Sequence, residues 1–98
     1  MPPKYDFAAA HQLSQQLSQL VEKMDWFIWL RESQSEALLG GPGSDNWRGA
    51  KRDNFVTHYL REQSALIELR DAAFRLQSQV NNATDAAHAA EKAEKNKH

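Results

Sequence analysis

The stretch ALLGGPGSDNWRGAKRDNF, residues 37–55, holds all four glycines of the chain and one of its three prolines. Outside it the only helix breakers are Pro2 and Pro3, so everything that can interrupt a helix is gathered at one place near the middle. Gly40 supplies the left-handed residue that commonly ends a helix. Ser44, Asp45 and Asn46 are the residue types that begin one. Working outward, the sequence predicts a first helix over 6–39, capped by Asp6, and a second over 47–90, with EKAEKNKH, 91–98, as a flexible tail. The turn spans 40–49 and overlaps the first residues of the second helix. The fold class is therefore all-α: a single domain over 1–98, folded as an antiparallel helical hairpin with arms on the order of 50 Å long.

Apolar spacing says which sides of the arms pack. Ala10, Leu13, Leu17, Leu20, Met24 and Phe27 alternate spacings of three and four, widened by Val21 and Ile28. In the second arm Leu66, Leu69, Ala73, Leu76, Val80, Ala83, Ala87 and Ala90 keep the same alternation and are the expected partner seam. A further stripe, Val56, Leu60, Ile67 and Phe74, is set off from it by Gln63 and Arg70. One antiparallel neighbour does not cover both stripes, so the hairpin is expected to pair with another into a four-helix bundle dimer.

Several classes of chemistry find no support. Twelve basic against thirteen acidic residues, a formal net charge of −1, give no field that draws the chain to nucleic acid or an anionic membrane. There is no cysteine, so no disulfide and no thiolate chemistry. His11, His58, His88 and His98 have no metal-ligand spacing, and GGPGSD lacks the lysine of a phosphate loop. Neither a nucleophile elbow nor an isolated carboxylate pair is present, and no enzyme activity, cofactor or metal is expected. The longest unbroken apolar run is Trp26 to Leu30, and the N-terminus lacks a run of signal-peptide length, so any export is expected to bypass a cleaved signal peptide.

Trp47 and Gly49 stand where the turn runs into the second helix. A tryptophan there can fold over the open end of the hairpin, and a glycine two residues on removes a side chain from the first turn, at about 1 kcal/mol of helix propensity. A chain of this length, with a long helix on each side of W-R-G and with Ala50 and Phe55 downstream, resembles the WXG family, the small ESAT-like proteins of type VII (ESX) secretion. The resemblance covers nearly the whole chain. It implies an antiparallel hairpin that forms a homodimer, or a heterodimer with a sister WXG-type protein, and crosses the cytoplasmic membrane folded, driven by a secretion ATPase. Trp47 and Gly49 are the positions carried over. Substrate pairs of that family usually bear Tyr-x-x-x-Asp/Glu after the second helix of one partner. Here Tyr59 is followed four residues on by Gln63, and the tail has no tyrosine, so a partner is expected to supply that signal.

MDWFIWL, residues 24–30, fits a bare hairpin least well. Met24, Phe27 and Ile28 belong to the first seam, whereas Trp26, Trp29 and Leu30 project from the other side of the same helix. They are expected to be covered by a partner, because tryptophan joins a large apolar area to one hydrogen-bond donor. Stable membrane insertion is not expected from so short a patch without a basic face. The functional expectation is a non-enzymatic type VII protein, a substrate or the chaperone-like partner of one, found in the cytoplasm before export and then secreted. The alternative is an intracellular helical adaptor or coiled-coil assembly subunit.

Overall fold

Asp6 caps the first helix in the computed structural model of the chain, which describes residues 4–40 and 49–96. Its Oδ1 accepts the backbone N–H of Ala9 at 2.9 Å, and its carbonyl accepts that of Ala10 at 3.0 Å. The first bond satisfies one of the N–H groups that a helix start leaves without partners, and the second opens the helix's own hydrogen-bond ladder. Helix α1 runs Phe7–Gly40 and helix α2 runs Ala50–Lys95. The fold is all-helical, two long helices packed against each other as an antiparallel hairpin. Trp47, the capping candidates Ser44, Asp45 and Asn46, and most of the predicted turn lie outside the described residues.

At its far end α2 continues past Ala90 to Lys95, so most of the predicted flexible tail is helix. The residues explain it. Glu91 and Lys95 stand four apart in the favourable order, and Lys92 and Lys95 sit in the last turn, where cations complement the helix dipole. Phe7 stacks on His88 with ring centroids 4.1 Å apart, which aligns the start of α1 with His88. The segment Ala89–Lys95 therefore projects beyond α1 by about 10 Å.

Gly49 precedes α2 with φ +74° and ψ −142°, and its carbonyl accepts the N–H of Asp53 at 3.1 Å. A Cβ built there meets nothing within 4 Å. The glycine is thus required by backbone conformation and not, so far as the described residues go, by a close neighbour. The sequence suggests the second reason, because spacing does not report φ. Side chains in this region of conformational space cost on the order of 1–3 kcal/mol.

Hydrogen bonds between the two arms set the register. Tyr5 Oη lies 2.7 Å from Thr84 Oγ1, Ser14 Oγ donates to Asn81 Oδ1 at 2.7 Å, Arg70 Nε donates to Asp25 Oδ1 at 2.7 Å, and Arg31 Nε donates to Gln63 Oε1 at 2.7 Å. Between them α1 turns Ala10, Leu17, Val21, Met24 and Ile28 inward, whereas Leu13, Leu20 and Phe27 of the expected seam are exposed, so the inward line lies toward the Val21 and Ile28 side of that stripe. The inward line of α2 differs from expectation. It passes through Gln63, Leu66, Arg70, Ala73, Gln77, Val80, Thr84 and Ala87, all buried or half-buried, while Leu69 and Leu76 are exposed. The helix is rotated so that Gln63 and Arg70, read from the sequence as a divider between stripes, lie in the seam itself.

Gln63 shows why the seam admits them. Only 5% exposed, it accepts from Arg31 and donates its Nε2 to the Ile28 carbonyl at 3.2 Å. Arg31 also donates to Glu62 Oε2 at 2.8 Å and lies 5.5 Å from the centroid of the Tyr59 ring. A buried amide whose hydrogen bonds are met costs little, whereas removing it strands its partners. Gln63→Ala is therefore expected to lower stability by about 1–3 kcal/mol, read as a shift in the urea midpoint.

The remaining core is thin. Leu17, Val21, Met24 and Ala73 are the buried apolar residues among those described, and no large side chain is fully enclosed. The chain measures 76 × 19 × 16 Å with a radius of gyration of 22.0 Å. A compact domain of the same length would have a radius of gyration of about 13 Å. It exposes 7924 Å², where a folded monomer of this mass exposes about 5,700 Å². The excess surface is where a function is to be sought.

Candidate functional site

The seam divides the hairpin into two long faces of different chemistry. On the first, Phe27 of α1 and Leu69 of α2 line one concavity, together with Arg31, Glu62, Ala65 and Leu66. Toward the termini, Ala9 and Leu13 line another with Val80 and Ala83. Leu20 falls seven residues from both Leu13 and Phe27, and Leu76 seven from both Leu69 and Ala83, so both helices repeat an apolar residue along this face. Leu13, Leu20, Phe27, Leu69 and Leu76 are all exposed, Leu69 by 59%. Leu13, Leu20, Phe27, Leu69 and Leu76 belong, in the sequence reading, to the hairpin's own seam. Here they form an outward apolar strip on both arms.

The second face carries the other predicted stripe. Arg70 joins its two halves: the guanidinium donates to Asp25 of α1 and to Asp71, and it lies 5.9 Å from the centroid of the Phe74 ring. Hydrogen bonds to Asp25, then to Asp71, raise its pKa further above its already high ordinary value. Leu60, Ile67 and Phe74 repeat every seven residues and are exposed, while Val56 is half-buried beside the seam. Trp26 and Trp29 are 60% and 59% exposed, and Leu30 is half-buried. The expected interface residues thus lie in surface positions, with Val56 and Leu30 partly covered by the hairpin itself. Of the two turn residues, Gly49 is described and exposed, and Trp47 lies outside the described residues.

Searches against family models, curated proteins and solved structures return no match for this chain.

The site must therefore be judged on its chemistry. Among the described residues no group of three or more His, Asp or Glu is placed to hold a metal ion, and no helix is long and apolar enough to cross a membrane. Every buried side-chain nitrogen or oxygen among them has a partner, so the seam holds no polar group left waiting for a ligand. Among the described histidines, His88 packs against Phe7 at the end of the hairpin. What the arrangement offers is extended surface that suits helix-on-helix recognition.

The apolar strip of the first face was the feature sequence reasoning assigned to the wrong side. The signal for it was present in the seven-residue spacing of Leu13, Leu20 and Phe27 against Leu69, Leu76 and Ala83.

Proposed function

We propose that the chain is a non-enzymatic hairpin of the WXG type that acts as a dimer in type VII secretion, as a substrate or as the chaperone-like partner of one. The observation that carries this reading is a two-helix rod whose connecting segment bears Trp47-Arg48-Gly49 and whose long apolar face runs over both arms. A second hairpin laid on that face supplies the missing layer of a four-helix bundle. Leu13, Leu20 and Phe27 then meet apolar residues of the partner, and the thin seam becomes half of a core.

Expression with a type VII machine and a partner bearing Tyr-x-x-x-Asp/Glu tests the proposal. The chain is expected in culture medium, and retention in the lysate is expected when the secretion ATPase is inactivated. Equal amounts in the medium with and without an active ATPase would overturn the export reading and leave the intracellular adaptor in its place.

A further inference from the structure

A hairpin paired through its apolar face keeps its second face in water, and that face has its own pattern. Glu22, Asp25, Trp29, Glu32 and Glu36 follow one another at spacings of three, four, three and four, forming a single stripe along α1. No lysine or arginine interrupts it. All five are exposed. Asp25 is occupied by Arg70 at 2.7 Å, while Glu22, Glu32 and Glu36 have no ion pair among the described residues. Across Arg70, α2 contributes Leu60, Ile67 and Phe74. The face is thus a lengthwise seat with a tryptophan and carboxylates on one wall and apolar side chains on the other.

We propose that this seat docks a basic amphipathic helix of a partner protein. Its apolar side lies on Ile67, Phe74 and Trp29, and its lysines or arginines meet Glu22, Glu32 and Glu36. Charge decides the occupant. A second copy seated in the same way brings like carboxylates together, and an anionic membrane is repelled by them. A cation is attracted twice, by the carboxylates and by the tryptophan ring, the strongest cation–π acceptor among side chains. Trp26, one position round from Trp29, extends the aromatic contact. From Glu22 to Glu36 the stripe is about 21 Å long, the length of a four-turn helix.

The proposal does not use the secretion reading, and a failure of export leaves it untouched. The test titrates the full chain by calorimetry with a synthetic amphipathic helix of leucine and lysine, about fourteen residues long. A leucine–glutamate helix of the same pattern and phosphatidylserine vesicles are the comparison arms. Binding of the lysine helix is expected, with Kd raised at least about tenfold by Trp29→Ser and by Glu22→Gln, Glu32→Gln, Glu36→Gln together. The same neutralisation elsewhere, Asp85→Asn, Glu91→Gln, Glu94→Gln, is expected to change Kd by less than about twofold. Circular dichroism checks that each exposed substitution leaves the helices intact. No binding of the lysine helix, an equal loss with the distant substitutions, or binding of the vesicles or the glutamate helix as tightly as the lysine helix overturns the proposal.

Discussion

A Leu20→Glu, Leu76→Glu variant is expected to behave as a poorly folded monomer at concentrations where the parent chain forms the proposed dimer. The two leucines lie on the first face, 44% and 45% exposed in the lone hairpin, one on each helix. Together with Leu13, Phe27 and Leu69 they leave on the order of 400 Å² of apolar surface per protomer, worth about 10 kcal/mol before the costs of association. Four carboxylates brought into the dimer core have no cationic partners there, and an uncompensated buried charge is strongly destabilising. Association is expected to weaken by at least about a hundredfold, roughly 3 kcal/mol. Because the hairpin encloses so little on its own, helix content should fall with dimerisation. Light scattering after gel filtration gives the mass, and melts at several protein concentrations give the linkage. Trp29→Ser, on the other face, is expected to leave the dimer mass unchanged. A parent chain that is monomeric, with a cooperative melt independent of concentration, would remove the four-helix bundle from the proposal.

The second large effect is expected at Trp47. Type VII recognition through the turn predicts that Trp47→Ala keeps its helices and its dimer yet loses export by about tenfold or more. A plug at the hairpin end predicts something else: loss of several kcal/mol on emptying a large aromatic site, with secretion failing because the fold fails. Export alone does not separate these, so the melting temperature of the purified variant must be read beside the amount in the medium. Gly49→Ala provides the matched control for strain. Its positive φ predicts a stability loss on the order of 1–3 kcal/mol without removal of any aromatic surface. A folded Trp47→Ala dimer exported like the parent would sink the type VII reading of the turn.

The large features of the hairpin were legible because they depend on local chemistry. Four glycines in one stretch mark the break and Asp6 supplies the cap, while of the line expected on α1 Leu17 and Met24 face inward beside Val21, and Leu13, Leu20 and Phe27 do not. The rotation of α2 was not legible. Its apolar arc is wider than one neighbouring helix can cover, and a helical wheel drawn for one helix places the seam at the most apolar stripe, Leu66, Leu69, Ala73 and Leu76. What turns the helix instead is the polar complement on α1: the Ile28 carbonyl and Arg31 for Gln63, and Asp25 for Arg70. Those partners lie 32 to 45 residues away in the chain. A pattern within one helix carries no record of them. The same rotation moved Leu69 and Leu76 from the expected seam onto the surface. The outward role of Trp26 and Trp29 was legible for the opposite reason, since it follows from the position of each on α1 alone.

The cross-helix links also differ in how much chain each must close. Arg31 and Gln63 are separated by 32 residues, Asp25 and Arg70 by 45, Ser14 and Asn81 by 67, and Tyr5 and Thr84 by 79. Closing the shortest of these loops before any other costs about 0.8 kcal/mol less entropy than closing the longest. Once it is closed, each later link adds only the short stretch of chain between neighbouring rungs. Loop entropy therefore favours closure from the turn toward the termini, beginning at Arg31–Gln63, one of the two rungs that set the rotation of α2.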